Sequence, residues 1–341
     1  MILFNENQSA SLQDFGILIP IHDSKATKSL SMLIDHPLLG KHRQRWYVKL
    51  IPEPIDRTDL LRVHASDYVQ RLYSEELEQV IITTYELIDD QGNYHRYEPS
   101  QATRPLKQMF ERLLERVSGT LQCGRIALSK GFCFHFGGGM HHAHRSFGHG
   151  FCIVNDIVIA IRKLQAENLI RTAWVVDVDA HKGDGTAALT YNDPSITTLS
   201  IHMAGGWPLD GPAHDAQGQL HPWFIPSDID IPIGAGEEAD YVERLSEGLQ
   251  KLAQFGRPDL AVVVCGADPY AEDVLPSTRD LRLSLDQLKQ RDQLVYNFLV
   301  SRQIPAAFLM AGGYGPNSWK VYTQFLEWAL PQHLGLEAIS K

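Results

Sequence analysis

The sequence predicts an α/β protein with a central, mostly parallel β-sheet flanked by helices on both faces. Short runs rich in β-branched residues are almost uninterrupted by polar side chains, as strands buried on both faces require. Helix-period segments with their own start signals lie between these runs. Strand and helix therefore alternate along the chain, which is the ordering that gives parallel pairing.

Phe132-Cys133-Phe134-His135-Phe136 is the first candidate strand. Ala173 to Val176, Ile196 to Ile201, Leu260 to Cys265 and Ala306 to Met310 follow as the clearest ones. Phe151 to Leu164 is apolar almost all round and predicts a buried helix. Ser284 and Gln287 form a capping box that opens another helix, with Leu288, Val295, Phe298 and Leu299 on its apolar face. Two stretches break the rhythm, the polar Asp89 to Pro105 and the proline-rich Ala204 to Pro226. Loops of that length in a compact domain are functional rims or exposed insertions. No internal repeat or low-complexity linker divides the chain, so residues 1–341 are expected to form a single domain.

Forty-four per cent of the residues are hydrophobic, enough for a sizeable core. The net charge of −10 argues against a broad nucleic-acid footprint. The first residues, Met1 to Asn7, lack the basic and apolar regions of a signal peptide. No stretch approaches the roughly 20 apolar residues of a membrane-spanning helix. The expectation is a soluble, cytoplasmic protein with neither nucleic-acid nor membrane partners. Cys123, Cys133, Cys152 and Cys265 form no C-x-x-C pair and read as buried thiols.

In an open parallel sheet, ligands bind beyond the carboxyl ends of the strands, so the residues just after each run carry the chemistry. After the first run come three glycines and the adjacent imidazoles His141 and His142. A phosphate cradle would need a glycine pattern that is absent here. After Val176 comes Asp177-Val178-Asp179-Ala180-His181, followed by Gly183-Asp184-Gly185. Alternation along an extended segment would put Asp177, Asp179 and His181 on one side. Carboxylate with imidazole suits Zn²⁺, or less distinctively Fe²⁺ or Mn²⁺, whereas the bland reading is a strand end capped by Asx turns. Gly266-Ala267-Asp268 adds a carboxylate at another strand end, and Gly312-Gly313-Tyr314 a phenol suited to stabilising an oxyanion.

Taken together, these segments resemble the histone deacetylase and acetylpolyamine amidohydrolase superfamily across roughly residues 50 to 325. The likeness rests on Leu60-Leu61-Arg62-Val63-His64, His141-His142, Gly150-Phe151-Cys152 and Asn155-Asp156. It continues through D-V-D-A-H at 177 to 181, G-A-D at 266 to 268 and G-G-Y at 312 to 314. The glycine triplet and Arg104-Pro105-Leu106 look most like the class IV branch and its bacterial relatives. The resemblance implies the arginase-deacetylase fold, with about eight strands, and a zinc-dependent amidohydrolase that releases an acyl group from an amine such as N-acyl-lysine. It implies Asp179, His181 and Asp268 as zinc ligands, a set Fe²⁺ also fits. Asp177 would orient His141 and Asp184 would orient His142. His142 would serve as base toward metal-activated water and then as acid toward the leaving amine, and Tyr314 would donate to the oxyanion. Gly150 and Phe151 would line a narrow substrate tunnel. A structural potassium ion is implied near Asp177, Asp179, His181, Ser200 and Ile201, largely through backbone carbonyls.

Two departures matter. Lys182 stands where many relatives have histidine or glutamine. Leu275 falls where polyamine-specific members can carry an acidic gatekeeper, which argues for a neutral acyl-lysine-like substrate rather than a cationic polyamine. The competing readings are an arginase-like ureohydrolase with two manganese ions, and a non-catalytic acyl- or metal-binding protein. The first lacks a second carboxylate at Asp268-Pro269-Tyr270, and the second would have lost a ligand or the base. Trp207 and Trp223 suit a substrate rim as readily as a homo-oligomer contact.

Overall fold

A computed structural model describes residues 1–6, 11–21, 24–209, 211 and 213–336. Eight strands form one sheet: β1 (Ile2–Phe4), β2 (Tyr47–Lys49), β3 (Phe132–His135), β4 (Ala173–Asp177), β5 (Ile196–Met203), β6 (Ile229–Ile233), β7 (Leu260–Cys265) and β8 (Ala306–Met310). Their order is β2-β1-β3-β8-β7-β4-β5-β6, and every neighbouring pair is parallel.

The helices that frame the sheet and the site are α1 (Ser24–Asp35), α2 (Gln108–Lys130), α3 (Asp156–Ala166), α4 (Asp184–Thr190), α5 (Tyr241–Leu252), α6 (Leu285–Ser301) and α7 (Trp319–Leu334). Successive strand residues point to opposite faces. Val175, Val262 and Leu309 thus join Val117 and Leu121 of α2 and Ile157 of α3 in one core. Val176, Val263 and Phe308 join Leu30 of α1, Leu245 of α5, Leu288 of α6 and Phe325 of α7 in the other. Each such side chain contributes about 1.5–3 kcal/mol by leaving water. Both faces are covered, which is why the central strands read as continuous apolar runs.

The structure corrects two local expectations. The apolar stretch from Phe151 becomes helical only at Asp156, where the Asn155 side chain accepts from the Val158 N–H. Residues 151–154 instead form a buried turn, with Phe151 at φ 66°. Beyond Asp177, β4 does not continue as extended chain. The Asp179 N–H donates to the Asp177 carboxylate and the His181 N–H to the Asp179 carboxylate, each at 3.1 Å. Two consecutive Asx-type turns, rather than strand alternation, therefore present these side chains.

Candidate active site

The four strands followed by candidate site residues, β3, β8, β7 and β4, are consecutive neighbours at the centre of the sheet. Their carboxyl ends bring Asp179, His181 and Asp268 together, with the candidate ligand atoms all within 4.8 Å of one another. His181 Nδ1 lies 3.0 Å from Asp268 Oδ2 and 3.3 Å from Asp179 Oδ1. All three residues are at most 4 % exposed. Burial, and next the Asp179 charge, raise the Asp268 carboxyl to about 7. Asp179 is held well below the usual carboxylate range, since the His141 charge and the hydrogen bond and charge of His181 outweigh its burial. Burial opposes a charged His181, but the two carboxylates carry it up to about 9. A side chain on Gly312 would collide with the Asp268 and Asp179 carboxylates, so glycine is required for this close approach.

His141 and His142 sit beside this cluster with ring centroids 3.9 Å apart. His141 Nδ1 meets Asp177 at 2.7 Å, and His142 Nδ1 meets Asp184 at 2.6 Å. Each carboxylate accepts the Nδ1 proton and leaves Nε2 as the nitrogen free for chemistry. The two imidazoles part company in charge. Burial lowers both, but Asp177 and Asp179 bring His141 up to about 10, whereas burial and the His141 charge press His142 down to about 3. The loop carrying them is pinned by Asp156, whose buried carboxylate accepts from Gly139 N, Met140 N and the Thr120 hydroxyl.

Tyr314 lines the cavity opposite, its ring centroid 6.2 Å from that of Phe151. Asp273 accepts from the Tyr314 and Gly315 N–H groups and fixes that turn. Burial and the Asp268 and Asp179 charges hold the Tyr314 phenol well above its ordinary pKa, so it remains a donor. Gly150, Phe151 and Tyr314 separate an outer cavity of about 230 Å³ from an inner one of about 130 Å³. Leu275 lines the outer cavity. Gly150 has φ 57°, and a β-carbon there would collide with Trp207 and His142.

Several residues at the site carry no motif of their own. Trp207, from the long loop, packs its ring 4.6 Å from His142 and 5.3 Å from His181. It thus lines the outer cavity beside both imidazoles; residues 210 and 212 of that loop lie outside the described residues. Ser277 Oγ lies 3.0 Å from His181 Nε2 and orients that ring. Lys25 of α1 donates to the carbonyls of Ala311, Gly312 and Gly313 at 2.6, 3.2 and 3.3 Å, and burial brings its ammonium down to about 8. Lys182 turns away from the ligand cluster, pairing with Asp230 at 2.5 Å and Ser227 at 3.0 Å. Of the residues expected around potassium, Asp177 and Ser200 face each other in the β4–β5 ladder, Ile201 follows in β5, and the Asp179 and His181 side chains belong to the cluster above.

Sheet and site together define a hydrolase of the arginase-deacetylase fold. The chain belongs to the histone deacetylase family: residues 20–327 match the model of the histone deacetylase domain, which makes it a hydrolase acting on acyl amides. It is 25 % identical over 328 residues to histone deacetylase 2 of Arabidopsis thaliana, covering 96 % of this chain and 77 % of that one. It is 28 % identical over 312 residues to the acetoin utilization protein AcuC of Staphylococcus aureus, covering 89 % and 74 %. An uncharacterized protein of Picosynechococcus sp. is 33 % identical over 210 residues, covering 61 % of this chain and 65 %, just under two thirds, of that relative. Among the described residues no helix is long and apolar enough to cross a membrane.

Proposed function

We propose that this protein is a zinc-dependent deacylase that hydrolyses the amide of an acylated amine such as N-acyl-lysine. The observation that carries the reading is the convergence of Asp179, His181 and Asp268 beside the His141–His142 pair, where the outer and inner cavities adjoin. Two buried carboxylates and an imidazole nitrogen, drawn within a few ångströms, form a donor set that calls for a divalent cation. They would hold zinc, and Fe²⁺ fits the same donors. Bound there, the ion supplies Lewis acidity toward a carbonyl oxygen and acidifies water.

The remaining chemistry belongs to the chain. Neutral His142, with its Nδ1 proton on Asp184, offers Nε2 to accept a proton from the attacking water and returns it to the leaving nitrogen. His141, kept charged by Asp177, stabilises the negative charge that develops. Tyr314 donates its phenolic proton to the oxyanion. Gly150 and Phe151 shape the passage between the two cavities, and the neutral Leu275, in an outer cavity also lined by Glu86 and Arg96, favours an uncharged acyl-lysine side chain over a polyamine. A structural potassium ion at Asp177, Asp179, His181, Ser200 and Ile201 belongs to the same reading. So does a single domain over residues 1–341, supported by the one eight-stranded sheet and the length of the family match.

The test is hydrolysis of acyl-lysine peptides of increasing chain length, compared with acylated polyamines by kcat/KM, with and without a chelator. Chelator-sensitive cleavage of acyl-lysine is expected. Chelator-insensitive cleavage, or a zinc-loaded protein inert toward every chain length, would overturn it. Two manganese ions per chain and ureohydrolysis would instead support the arginase-like alternative.

A further inference from the structure

Asp184 holds more than His142. Its Oδ1 takes the His142 Nδ1 at 2.6 Å, while its Oδ2 is shared by His149 Nε2 at 2.8 Å and His144 Nε2 at 3.0 Å. Neither His144 nor His149 has a part in the hydrolysis described above. Both are reachable from solvent, with His149 the more open at 29 % side-chain exposure. Ligand atoms of His142, His149 and Asp184 all lie within 4.8 Å of one another. Carboxylate with two imidazoles is the donor set of a borderline transition ion, and His144 stands on the same oxygen as a further imidazole.

We propose that Asp184, His149 and His142 form a second transition-metal site, distinct from Asp179–His181–Asp268, through which excess Zn²⁺ or Ni²⁺ switches the enzyme off. The site needs no net proton loss. In the free site His142 carries its proton on Nδ1 and His149 on Nε2, both donated to Asp184. On binding, those nitrogens present lone pairs to the ion and each proton moves to the other nitrogen of its ring. His142 Nε2, the nitrogen facing the cavity, then bears a proton and can no longer accept one. Inhibition is thus a change of tautomer at the base, brought about from the solvent side. The inhibitory consequence rests on the base role proposed for His142, whereas the site itself does not.

The experiment starts from protein loaded with one zinc per chain and adds Zn²⁺ or Ni²⁺. Bound metal is counted by equilibrium dialysis and acetyl-lysine peptide hydrolysis is followed in parallel, for the wild type, His149→Gln, His144→Gln and the double variant. The wild type is expected to take up a second ion and to lose activity about a hundredfold, the contribution of one positioned base. His149→Gln and the double variant should keep their activity and bind no second ion, and His144→Gln should bind it more weakly. A wild type that binds no second ion, or a second ion held equally by the double variant, overturns the site. A second ion that is lost with His149 while hydrolysis is unaffected keeps the site and overturns the switch. Because the count of bound ions does not depend on hydrolysis, failure of the deacylase reading would be recognised separately.

Discussion

Asp177 and Asp184 make the same contact with the same ring nitrogen, yet the two imidazoles they hold differ in charge. The difference comes from the neighbours: His141 also faces Asp179 at 3.8 Å, whereas His142 faces a charged His141. Replacing His142 with alanine is therefore expected to lower kcat by about 10²–10⁴-fold, because only this ring is neutral and able to accept a proton. Tyr314→Phe should lower kcat by about 10²–10³-fold with a small change in KM, since its donor acts on charge that forms only in the transition state. Steady-state kinetics on one acyl-lysine peptide checks both, and equal losses in kcat/KM through KM alone would contradict them. A second pair of histidines bears on stability. Burial pushes His64 and His135 down to about 4 from an ordinary value near 6.5. Unfolded, each binds a proton below about 6.5 that the folded form refuses, so stability is full above that pH and is lost as pH falls toward 4. Each group accounts for up to about 3 kcal/mol over that window. Urea midpoints measured from pH 7 to 4 should decline less steeply in His64→Gln than in the wild type.

The elements differ in how plainly the sequence declares them. β4, β7 and β8 are legible because both faces are buried and few polar residues interrupt them, and β5 because its Ile and Thr residues are β-branched although Thr197, Thr198, Ser200 and His202 interrupt it. β1 and β2 have only three residues each, too few for any period to emerge. β6 alternates Ile229-Asp230-Ile231-Pro232-Ile233 at the sheet edge, where the missing N–H of Pro232 is tolerated. Ligands and diad are legible for a related reason: each follows a readable strand by only a few residues. Lys25, Asp273 and Ser277 reach the site from a helix and loops whose local sequence carries no mark of it, whereas the long proline-rich loop and its Trp207 are legible only as a rim or a subunit contact. The α3 N-terminus shows how an element secures the chemistry. Asp156 opens that helix and ties down the glycine loop that carries the diad. Asp156→Asn removes the charge from three hydrogen bonds and is expected to cost about 2–4 kcal/mol in urea unfolding. Circular dichroism should show the helices retained while kcat falls, as the diad loses its anchor.

At the scale of the whole molecule, the metal cluster is also a fastening. With the proposed ion bound, it would tie the carboxyl ends of the paired strands β4 and β7 through three buried side chains, including two carboxylates whose like charges the ion offsets. Removing the metal should therefore lower Tm on the order of 5 °C or more, by linkage to an ion that binds only the folded chain, and added zinc should restore it. A Tm indifferent to chelation would mean that the cluster is reconciled by its own protons.

The position of β8 carries a further consequence, for biosynthesis. As the chain leaves the ribosome, β1, β2 and β3 can pair, and β4 to β7 can pair, but no strand pairing joins the two halves of the sheet until residues 306–310 emerge and slide between β3 and β7. Asp179 and Asp268 can meet before that moment, but the turn bearing Gly312 and Tyr314 cannot yet close over them. Zinc captured early would sit in a half-built nest, and a nascent chain paused before residue 306 would be open to the wrong ion.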